Sequence, residues 1–377
     1  MKFEISTKTL QKWLAIVSHA TASVSTTPIL ENILLKVNFK NIVIVANNLD
    51  MAIEYIIDKD IEIFSEWSYC VPSKLLWGYV NLVNDDMIHI QLNSSWDALE
   101  LKTSWGKTKI KWINSDDFPL IPKIKEEISF DINSLTIKQS IEKTIFSTAE
   151  WNIRPTLAWI FMHIQWSDTI FASTDSFRLS EYRSILDAPC KVNFEQIIPN
   201  KTCYELKNLI EDNNKVTIVC GENQIVFSFD HIHIYSRLLN GNFPDYTNFF
   251  PSTYNTKWII NRVDLMQALK KINLISRENN YSIKMSFSSK TGILLETSET
   301  QIGEEEERLV GDVEWEDAII GINSTYFLQA LSVIETSHVS LQFENSLAPI
   351  LLTPIQDEKS NKAPPGQFRH IIMPLKI

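Results

Sequence analysis

Residues 3–14 read FEISTKTLQKWL, a short alternating stretch followed by a polar joint and then by leucines at helical spacing. Alternation with a period of two predicts a strand, and apolar residues three to five apart predict a helix. The same pattern returns further along the chain, so that Ile5, Ile132 and Ile260 lie 127 and 128 residues apart. Repetition at a nearly constant spacing indicates one structural unit made three times.

A second pattern lies midway through each unit, where a strand ends just before another helix-like stretch. Its three copies are Val71-Pro72-Ser73, Ile198-Pro199-Asn200 and Ile322-Asn323-Ser324. Pro, Ser and Asn open or cap helices, so each unit is predicted to contain a second helix. Alternating segments follow at 87–101, 215–236 and 339–352 and predict antiparallel hairpins. The fold class is therefore predicted to be α+β, with three repeated domains that each pack two helices on antiparallel sheet.

Length and composition bound the kind of protein. The 377 residues exceed one ordinary core, and joints rich in Pro, Ser, Asn and Lys near 122–127 and 250–256 predict domains at 1–125, 126–251 and 252–377. No apolar run approaches the roughly 20 residues of a membrane span, and the N-terminus lacks the apolar region of a signal peptide. A soluble, cytoplasmic protein is expected.

Residues that could carry catalysis or hold a metal form no convincing set. The four cysteines are Cys70, Cys190, Cys203 and Cys220. They show no metal-ligand spacing and are interpreted as reduced core thiols. His231 and His233 share a strand face without a partner that completes a site, and the acidic run Glu304 to Glu307 is interpreted as a solvated loop. Without a Gly-rich phosphate loop or a nucleophile elbow, no enzymatic activity, cofactor or metal is predicted.

Six segments, taken together and in this order, resemble signature stretches of the bacterial sliding clamp family, the beta subunits of DNA polymerase III. They are Pro28-Ile29-Leu30 before Ile33-Leu34-Leu35, Asp117-Phe118-Pro119-Leu120, Arg154-Pro155-Thr156-Leu157, Thr174-Asp175-Ser176-Phe177-Arg178-Leu179, Asn240-Gly241-Asn242-Phe243-Pro244-Asp245-Tyr246 and Met373-Pro374-Leu375-Lys376-Ile377. The resemblance spans essentially the whole chain. It implies a DNA clamp fold in which each chain is half of a closed ring, a head-to-tail homodimer that removes exposed sheet edges.

The resemblance further implies a processivity factor that encircles double-stranded DNA and slides without sequence readout. A net charge of −11 argues against a nucleic-acid partner. The predicted helices, however, carry +6 together and leave −17 for the rest of the chain; these helices are 8–19, 72–84, 134–147, 201–210, 263–275 and 324–334. The lysines predicted to contact DNA are Lys8, Lys12, Lys74, Lys138, Lys143, Lys201, Lys207, Lys270 and Lys271. For any single lysine a solvated helix face remains an alternative. Val24 stands where the family has a basic loop residue, so contacts from that loop are not predicted.

Family members bind short peptides of the DNA polymerase III alpha subunit, the clamp loader and repair proteins in a hydrophobic pocket between the second and third domains. By resemblance the pocket residues are Leu157, Thr174, Ser176, Phe177, Arg178, Leu179, Pro244, Asn248, Phe249, Asn323, Tyr326, Leu347, Ile371, Met373, Pro374, Leu375, Lys376 and Ile377. An apolar cleft anchors a few side chains, and polar groups fix their orientation. For Leu157, Leu179 and Leu347 core packing alone is an open alternative. A non-nucleic-acid oligomeric scaffold would share the repeats but leave the helix charge unexplained.

The balance of glycine and tryptophan is unusual. The chain has nine glycines and eleven tryptophans, whereas glycine ordinarily makes up roughly 7% of residues. Several tryptophans occupy turn contexts or, by the family resemblance, positions of glycine: Trp67, Trp96, Trp105, Trp112, Trp159, Trp166 and Trp315. One hypothesis is that UGA specifies glycine in the native host and that the sequence has been translated as if UGA specified tryptophan. The alternative is that these residues are genuine tryptophans that pack as core or surface aromatics. Mass spectrometry of protein from the native host distinguishes the two.

Overall fold

The computed structural model describes residues 2–22, 25–59, 61–92, 95, 98–122, 124–125, 128–150, 157–212, 214–238, 241–299, 301, 303–315, 317–356 and 366–376, with backbone alone at 187–188, 191–192 and 312–315. Val24, Trp96, Arg154-Pro155-Thr156, Asn240 and Ile377 lie outside the described residues. The chain divides into two compact units, 1–134 with 208–240 and 135–207 with 241–377. The domain boundaries at 125 and 251 stay predictions.

The described residues contain six α-helices and twenty-five strands. The helices are α1 (Thr7–Ser18), α2 (Ser73–Asn81), α3 (Ser134–Thr144), α4 (Asn200–Leu209), α5 (Arg262–Ser276) and α6 (Ser324–Ser332). The strands are β1 (Lys2–Ser6), β2 (Asn32–Asn38), β3 (Asn41–Asn47), β4 (Met51–Ile57), β5 (Ile61–Ile63), β6 (Trp67–Pro72), β7 (Met87–Leu92), β8 (Ala98–Lys102), β9 (Lys107–Lys111), β10 (Ile113–Asn114), β11 (Ile128–Asn133), β12 (Trp159–Thr174), β13 (Arg178–Pro199), β14 (Lys215–Cys220), β15 (Gln224–Phe229), β16 (Ile232–Arg237), β17 (Thr256–Asn261), β18 (Ser282–Ser288), β19 (Gly292–Thr297), β20 (Glu306–Leu309), β21 (Asp312–Trp315), β22 (Ala318–Asn323), β23 (His338–Phe343), β24 (Ile350–Ile355) and β25 (Gly366–Ile372).

Each unit contains two sheets. In the first unit the strand orders are β5-β1-β7-β8-β9 and β10-β6-β2-β3-β4-β16-β15-β14-β11. In the second unit they are β12-β13-β25-β24-β23-β17-β21 and β20-β19-β18-β22. Helix α1 packs against α2 in the first unit, and α5 packs against α6 in the second.

Strand pairing confirms the threefold repeat. We define the repeats as β1 to β10, β11 to β16 and β17 to β25. In each repeat the first strand pairs antiparallel with the strand that follows the second helix, as β1 with β7, β11 with β14 and β17 with β23. Phe3 thus faces Ile90, Phe130 faces Ile218 and Trp258 faces Leu341. Two more strands then extend each sheet in sequence, and they end at β9, β16 and β25.

All six predicted helices form, with ends within three residues of the predicted ones. The third helix is shorter than predicted because its last turn, Ile145–Ser147, is a 3₁₀ helix. Asn261 accepts hydrogen bonds from the backbone N–H groups of Val263 and Asp264 at the start of α5. Asn323 does the same for α6. Such caps satisfy donors that a helix start leaves without partners.

Apolar faces of helices and strands form the cores. In the second unit Leu265, Leu269 and Ile272 of α5 lie in one buried cluster with Trp258 and Phe287. All four cysteines are buried thiols, as predicted, and burial raises the pKa of Cys70 to about 12. Thiols of this kind are poor nucleophiles because little thiolate forms near neutral pH. Among the described residues no helix is long and apolar enough to cross a membrane.

The acidic run was predicted to be a solvated loop, and this interpretation is wrong in part. Glu306 and Glu307 begin β20, an edge strand that pairs with β19. Glu307 is half-buried and lies 2.7 Å from Nζ of Lys271, whereas Glu306 is exposed. The alternation of exposed and half-buried side chains is typical of a strand with one covered face. Four consecutive glutamates show no such alternation in the sequence, so the strand was not predicted.

The predicted glycine-like positions fall into different environments. Trp166 has φ of 56°, at a register shift in the pairing of β12 with β13. Trp67 and Trp112 bury indole N–H groups that find no hydrogen-bond partner among the described residues. Trp159 packs in a buried cluster, and Trp105 is 93% exposed. Trp315 lies on β21. The left-handed conformation of Trp166 agrees with the glycine hypothesis, which stays a prediction.

Replacing Trp166 by glycine is expected to raise the free energy of unfolding by about 1 kcal/mol, because a side chain in the left-handed region costs roughly 1–2 kcal/mol. Urea unfolding followed by circular dichroism measures the change. Trp105→Gly is the matched control, since Trp105 is also exposed but does not have a positive φ. An equal gain in both variants, or none at Trp166, would contradict the strain argument.

Candidate functional site

The predicted pocket segment Thr174 to Leu179 forms the turn between β12 and β13. Oγ1 of Thr174 accepts a hydrogen bond from the backbone N–H of Ser176 at 3.1 Å. Oδ1 of Asp175 accepts from the N–H groups of Phe177 at 2.9 Å and Arg178 at 3.0 Å. These bonds hold Ser176 at φ of 78°, a conformation that non-glycine residues seldom adopt. The turn therefore directs Phe177, 52% exposed, toward solvent and Arg178 inward.

Arg178 connects this turn to α6. Its Nε donates to Oδ2 of Asp175 at 2.9 Å, and Nη1 donates to Oε1 of Gln329. The guanidinium carbon also lies 4.4 Å from the ring centroid of Tyr326. Burial lowers the pKa of the guanidinium, and Asp175 opposes that shift. An arginine stays charged regardless, so the buried cation fixes the orientation of Tyr326 and Gln329 beside the turn.

An apolar floor lies next to the turn. Leu179 faces Ile371 on β25, and Ile371 faces Leu351 on β24. These three residues form a buried cluster with Ala172 and Tyr246. Partly buried Phe161, Phe243 and Phe250 pack against it. Leu179 and Ile371 are 4% and 1% exposed, so they supply the floor rather than protruding contacts.

The C-terminal tail brings the turn and the start of α6 together. The backbone N–H of Met373 donates to the carbonyl of Phe177 at 2.8 Å, and that of Leu375 donates to the carbonyl of Gly321, also at 2.8 Å. Gly321 precedes Asn323, which caps α6. Met373 and Lys376 are exposed, and Pro374 and Leu375 are half-buried. These contacts connect the turn, the start of α6 and the tail into one surface, which we call the tail surface. Its residues are Phe177, Arg178, Asn323, Tyr326, Ile371, Met373 and Leu375.

The segment before β17 holds three further predicted residues, Pro244, Asn248 and Phe249, all exposed. The hydroxyl of Tyr246, within this segment, donates to Oε2 of Glu181 at 3.0 Å. The backbone N–H of Phe249 donates to the carbonyl of Tyr246 at 3.0 Å. The segment is therefore tied to β13 through Tyr246.

Glu181 is a structural residue that sequence reasoning missed. Its carboxylate is completely buried and also accepts hydrogen bonds from Nε of Arg183 at 2.8 Å and Nε of Arg369 at 2.9 Å. Burial alone would raise the pKa of Glu181, but hydrogen bonds from Arg183 and Arg369 outweigh burial and lower it. Arg369 also stacks on Phe250, with 3.8 Å from the guanidinium carbon to the ring centroid. No local pattern marks Glu181, since Arg369 is 188 residues away in the sequence.

Leu157 and Leu347 were also predicted for the pocket, and neither takes part in the described hydrogen bonds or clusters that define the tail surface. Leu157 is 9% exposed, and its carbonyl accepts from the N–H of Ala149. Leu347 is 73% exposed in the loop before β24. For Leu157 the packing alternative agrees with this burial. Leu347 is too exposed for a packing role and stays a predicted contact.

The nine predicted DNA-contacting lysines lie on α1 to α5. Lys8, Lys12, Lys74, Lys201, Lys270 and Lys271 are exposed, and Lys138, Lys143 and Lys207 are half-buried. Ion pairs between described residues join Lys12 to Glu211 at 3.3 Å, Lys143 to Glu335 at 3.0 Å and Lys271 to Glu307 at 2.7 Å. The hydrogen bond that Lys271 donates to the Glu307 carboxylate raises the pKa of Lys271.

These lysines keep the helices positive. With the observed bounds Arg262 joins α5, which raises the total helix charge by one, to +7. Exposed ion pairs contribute only about 0–1 kcal/mol. The Lys12–Glu211 pair is exposed on both sides and is therefore weak enough to exchange its carboxylate for a phosphate. The Lys143 side chain is only 14% exposed and Glu307 of the Lys271 pair is half-buried, so these two pairs exchange less readily.

The remaining candidates are possible metal ligands and the histidines His231 and His233. No group of three or more His, Cys, Asp or Glu residues is arranged there to hold a metal ion. Nδ1 of His233 bonds with Oγ of Ser228 at 2.8 Å, and Nδ1 of His231 lies 4.0 Å from the Asp58 carboxylate. Both histidines thus have local partners.

Comparison with known proteins covers nearly the whole chain. Family models for the N-terminal, central and C-terminal domains of the DNA polymerase III beta subunit match residues 1–122, 131–245 and 247–366. The beta sliding clamp of Bacillus subtilis (strain 168) is 27% identical over 367 residues, 95% of this chain and 97% of that protein. The beta sliding clamp of Staphylococcus aureus (strain N315) is 26% identical over 343 residues, 89% and 90% of the two chains.

Solved structures show the same likeness. The crystal structure of the Bacillus subtilis DNA polymerase sliding clamp superposes with a TM-score of 0.92 at 26% identity, over 100% of this chain and 99% of that one. A Pseudomonas aeruginosa sliding clamp bound to griselimycin superposes with a TM-score of 0.91 at 22% identity, over 100% of both chains. The second likeness is one of fold alone. Both extend over all three repeats.

Proposed function

Because the chain belongs to the DNA polymerase III beta-subunit family, we propose that two copies close head to tail into a ring around double-stranded DNA. The ring is a processivity factor of the cytoplasm that slides without sequence readout and catalyses no reaction. It tethers the DNA polymerase III alpha subunit, the clamp loader and other clamp-binding peptides. Membership of the sliding-clamp family is carried by the three consecutive domain matches; the ring, the DNA contacts and the pocket are the proposal.

The observation that carries the proposal is a pairing rule between successive repeats. Strand β4 of the first repeat pairs with β16, the last strand of the second. Strand β13 of the second repeat pairs with β25, the last strand of the third. Among the described strands, the equivalent ones without such a neighbour are β20 in the third repeat and β9 in the first, and both lie at sheet edges. Pairing β20 of one chain with β9 of another continues the rule.

Charge supports the same partner choice. Strand β9 carries Lys107, Lys109 and Lys111, all exposed. Strand β20 and the residues before it carry Glu304 to Glu307 and Arg308, a net charge of −3, and Glu304, Glu306 and Arg308 are exposed, with Arg308 paired to Glu306 at 2.9 Å. Opposite charges facing across strands stabilise their pairing, and like charges oppose it. A lysine-rich edge therefore favours the glutamate-rich edge of a second copy over another copy of itself.

The helix lysines fit a sliding contact. Lysine side chains bind phosphates without distinguishing bases, so they position a protein on DNA without reading sequence. The chain outside the helices is strongly acidic, and that charge opposes DNA binding elsewhere on the surface. In the proposal, Lys8, Lys12, Lys74, Lys201, Lys270 and Lys271 make the exposed phosphate contacts.

The tail surface fits a peptide-binding role. It combines an apolar floor of Leu179 and Ile371 with the exposed side chains of Phe177 and Met373. The buried Arg178 guanidinium keeps the adjacent turn and helix fixed. A preformed apolar surface with a few fixed polar groups binds peptides at small entropic cost.

Retention on circular DNA tests the proposed ring. The chain is loaded onto nicked circular duplex by the clamp loader of its own organism and separated from free protein by gel filtration. We expect it to elute with the circle and to be lost after one restriction cut, because a topological link needs no tight contact. Equal retention on circular and linear DNA, or no retention on the circle, would overturn the ring.

A further inference from the structure

The turn from Asn47 to Met51 in the first unit reproduces the turn of the tail surface 127 residues later. Leu49 has φ of 74°, and its counterpart Ser176 has φ of 78°. The N–H of Leu49 donates to Oδ1 of Asn47 at 2.8 Å, and that of Met51 donates to Oδ1 of Asn48 at 2.9 Å. These two bonds match those that Thr174 and Asp175 accept in the later turn.

The neighbouring strand matches as well. The N–H of Arg237 donates to the carbonyl of Asp50 at 2.9 Å, as that of Met373 does to the carbonyl of Phe177. Tyr235 faces Ala52 in the pairing of β16 with β4, as Ile371 faces Leu179. The framework proposed to bind peptides in the second unit is therefore also built in the first.

A cleft of about 600 Å³ lies on this framework. Residues lining it include Leu49, Met51, Pro119, Leu120, Tyr235 and Arg237. Met51 is 2% exposed, whereas Leu49 and Leu120 are 57% and 85% exposed. Exposed leucines beside an apolar cleft are more typical of a binding surface than of a solvated turn. The volume is sufficient for a few side chains of a short peptide.

The side chains differ from those of the tail surface in ways that define the ligand. Met51 replaces Arg178, so the cleft has an apolar residue where the later site has a buried cation. Asp50 replaces Phe177 and Arg237 replaces Met373, and both charged residues are exposed. Burial, followed by the effect of Glu54, raises the pKa of Tyr235 to about 12, so its hydroxyl keeps its proton. The exposed edge of the cleft therefore carries one acidic residue, Asp50, and one basic residue, Arg237.

We propose that this cleft is a second docking site, for a short extended peptide with two aliphatic side chains flanking an acidic residue. The aliphatic side chains pack against Leu49, Met51 and Leu120, and the carboxylate pairs with Arg237. The choice of a peptide as ligand rests on the function proposed above, whereas the cleft and its residues do not.

Photo-crosslinking of the full chain tests the site directly. The probe is acetyl-Ser-Leu-Glu-Leu-Ser-amide with one leucine replaced by photoreactive leucine, and mass spectrometry maps the crosslinked residues. We expect saturable crosslinks to 47–52 and 119–122 that fall about tenfold in Leu49→Asn/Leu120→Ser. Asn tolerates positive φ, and Leu120 is mostly exposed, so this variant is expected to fold.

Matched variants separate the possible outcomes. Leu82→Ser changes another leucine, 81% exposed, and is expected to leave crosslinking unchanged. Arg237→Gln is expected to remove the preference for the Glu probe over the same probe with Gln. Crosslinks confined to 371–376 would overturn the second site and leave the tail surface in place. The second site would also be overturned if no saturable crosslink formed at the cleft or at 371–376 with up to millimolar probe. The ring would still be tested separately, by retention on circular DNA.

Discussion

A chain in which Lys107, Lys109 and Lys111 are all changed to Glu is expected to be a monomer at concentrations where the unaltered chain is a dimer. The change places an acidic β9 against an acidic β20. Each opposite-charge pair across strands contributes roughly 0.2–1 kcal/mol, and like charges cost a similar amount. Three reversals therefore weaken association by about 3 kcal/mol, more than a hundredfold in Kd. Sedimentation velocity over a concentration series measures the effect.

The reciprocal variant, Glu304→Lys/Glu306→Lys, is expected to be monomeric for the opposite reason. An equimolar mixture of the two variants is expected to form a dimer, because each acidic β9 then faces a basic β20 and each basic β9 faces an acidic one. Dimerisation of the unaltered chain argues against a head-to-head arrangement, because that arrangement would place the lysines of β9 against each other and the glutamates of β20 against each other.

Net charge is controlled by a third variant, Lys40→Glu/Lys59→Glu/Lys125→Glu, which alters three exposed lysines elsewhere. It is expected to dimerise like the unaltered chain. If the β9 variant keeps its dimer, or if the mixture stays monomeric, β9 and β20 do not form the interface.

Removal of Met373 to Ile377 is expected to abolish peptide binding and leave the dimer intact. The truncation deletes the backbone donors to the carbonyls of Phe177 and Gly321, together with the exposed Met373 side chain. Truncation of central contacts in a small interface commonly costs 2 kcal/mol or more, so a loss of affinity of at least about thirtyfold is expected. Strands β9 and β20 include none of the deleted residues.

Fluorescence polarisation with a labelled peptide from the alpha subunit of the same organism's polymerase measures this loss. Lys376→Ala is the matched control, because it changes an exposed side chain of the tail without removing a backbone donor. Affinity retained by the truncated chain would contradict a peptide-binding role for the tail. A dimer lost together with affinity would show that the tail has a wider structural role.

The sequence predicted the repeated elements because their signals are local. Strand alternation, capping residues and helix spacing are each contained within a few residues, and Asn261 and Asn323 act where the pattern indicates a helix start. The Asp175 turn was located by resemblance, and its hydrogen bonds explain why short polar residues suit that position.

Long-range partners could not be predicted in this way. The carboxylate of Glu181 is buried by Arg183, Arg369 and Tyr246, and nothing in the neighbouring residues indicates that a charge on β13 has such partners. The same is true of Lys143, whose pairing with Glu335 depends on how α3 and the end of α6 pack within the second unit. The edge position of β20 also depends on sheet order rather than on its own composition.

The joint between successive repeats has a direction, since a strand from one repeat always receives the last strand of the next. A head-to-tail joint leaves a free edge at each end of the assembly, so further units can always add. The assembly closes into a ring only if the rotations at successive joints add up to a full turn, and otherwise it grows into a filament. The number of units per turn is then a property of joint angle rather than of edge chemistry. A mutation that alters sheet twist far from β9 and β20 could thus convert a closed assembly into an open polymer while every joint stays intact.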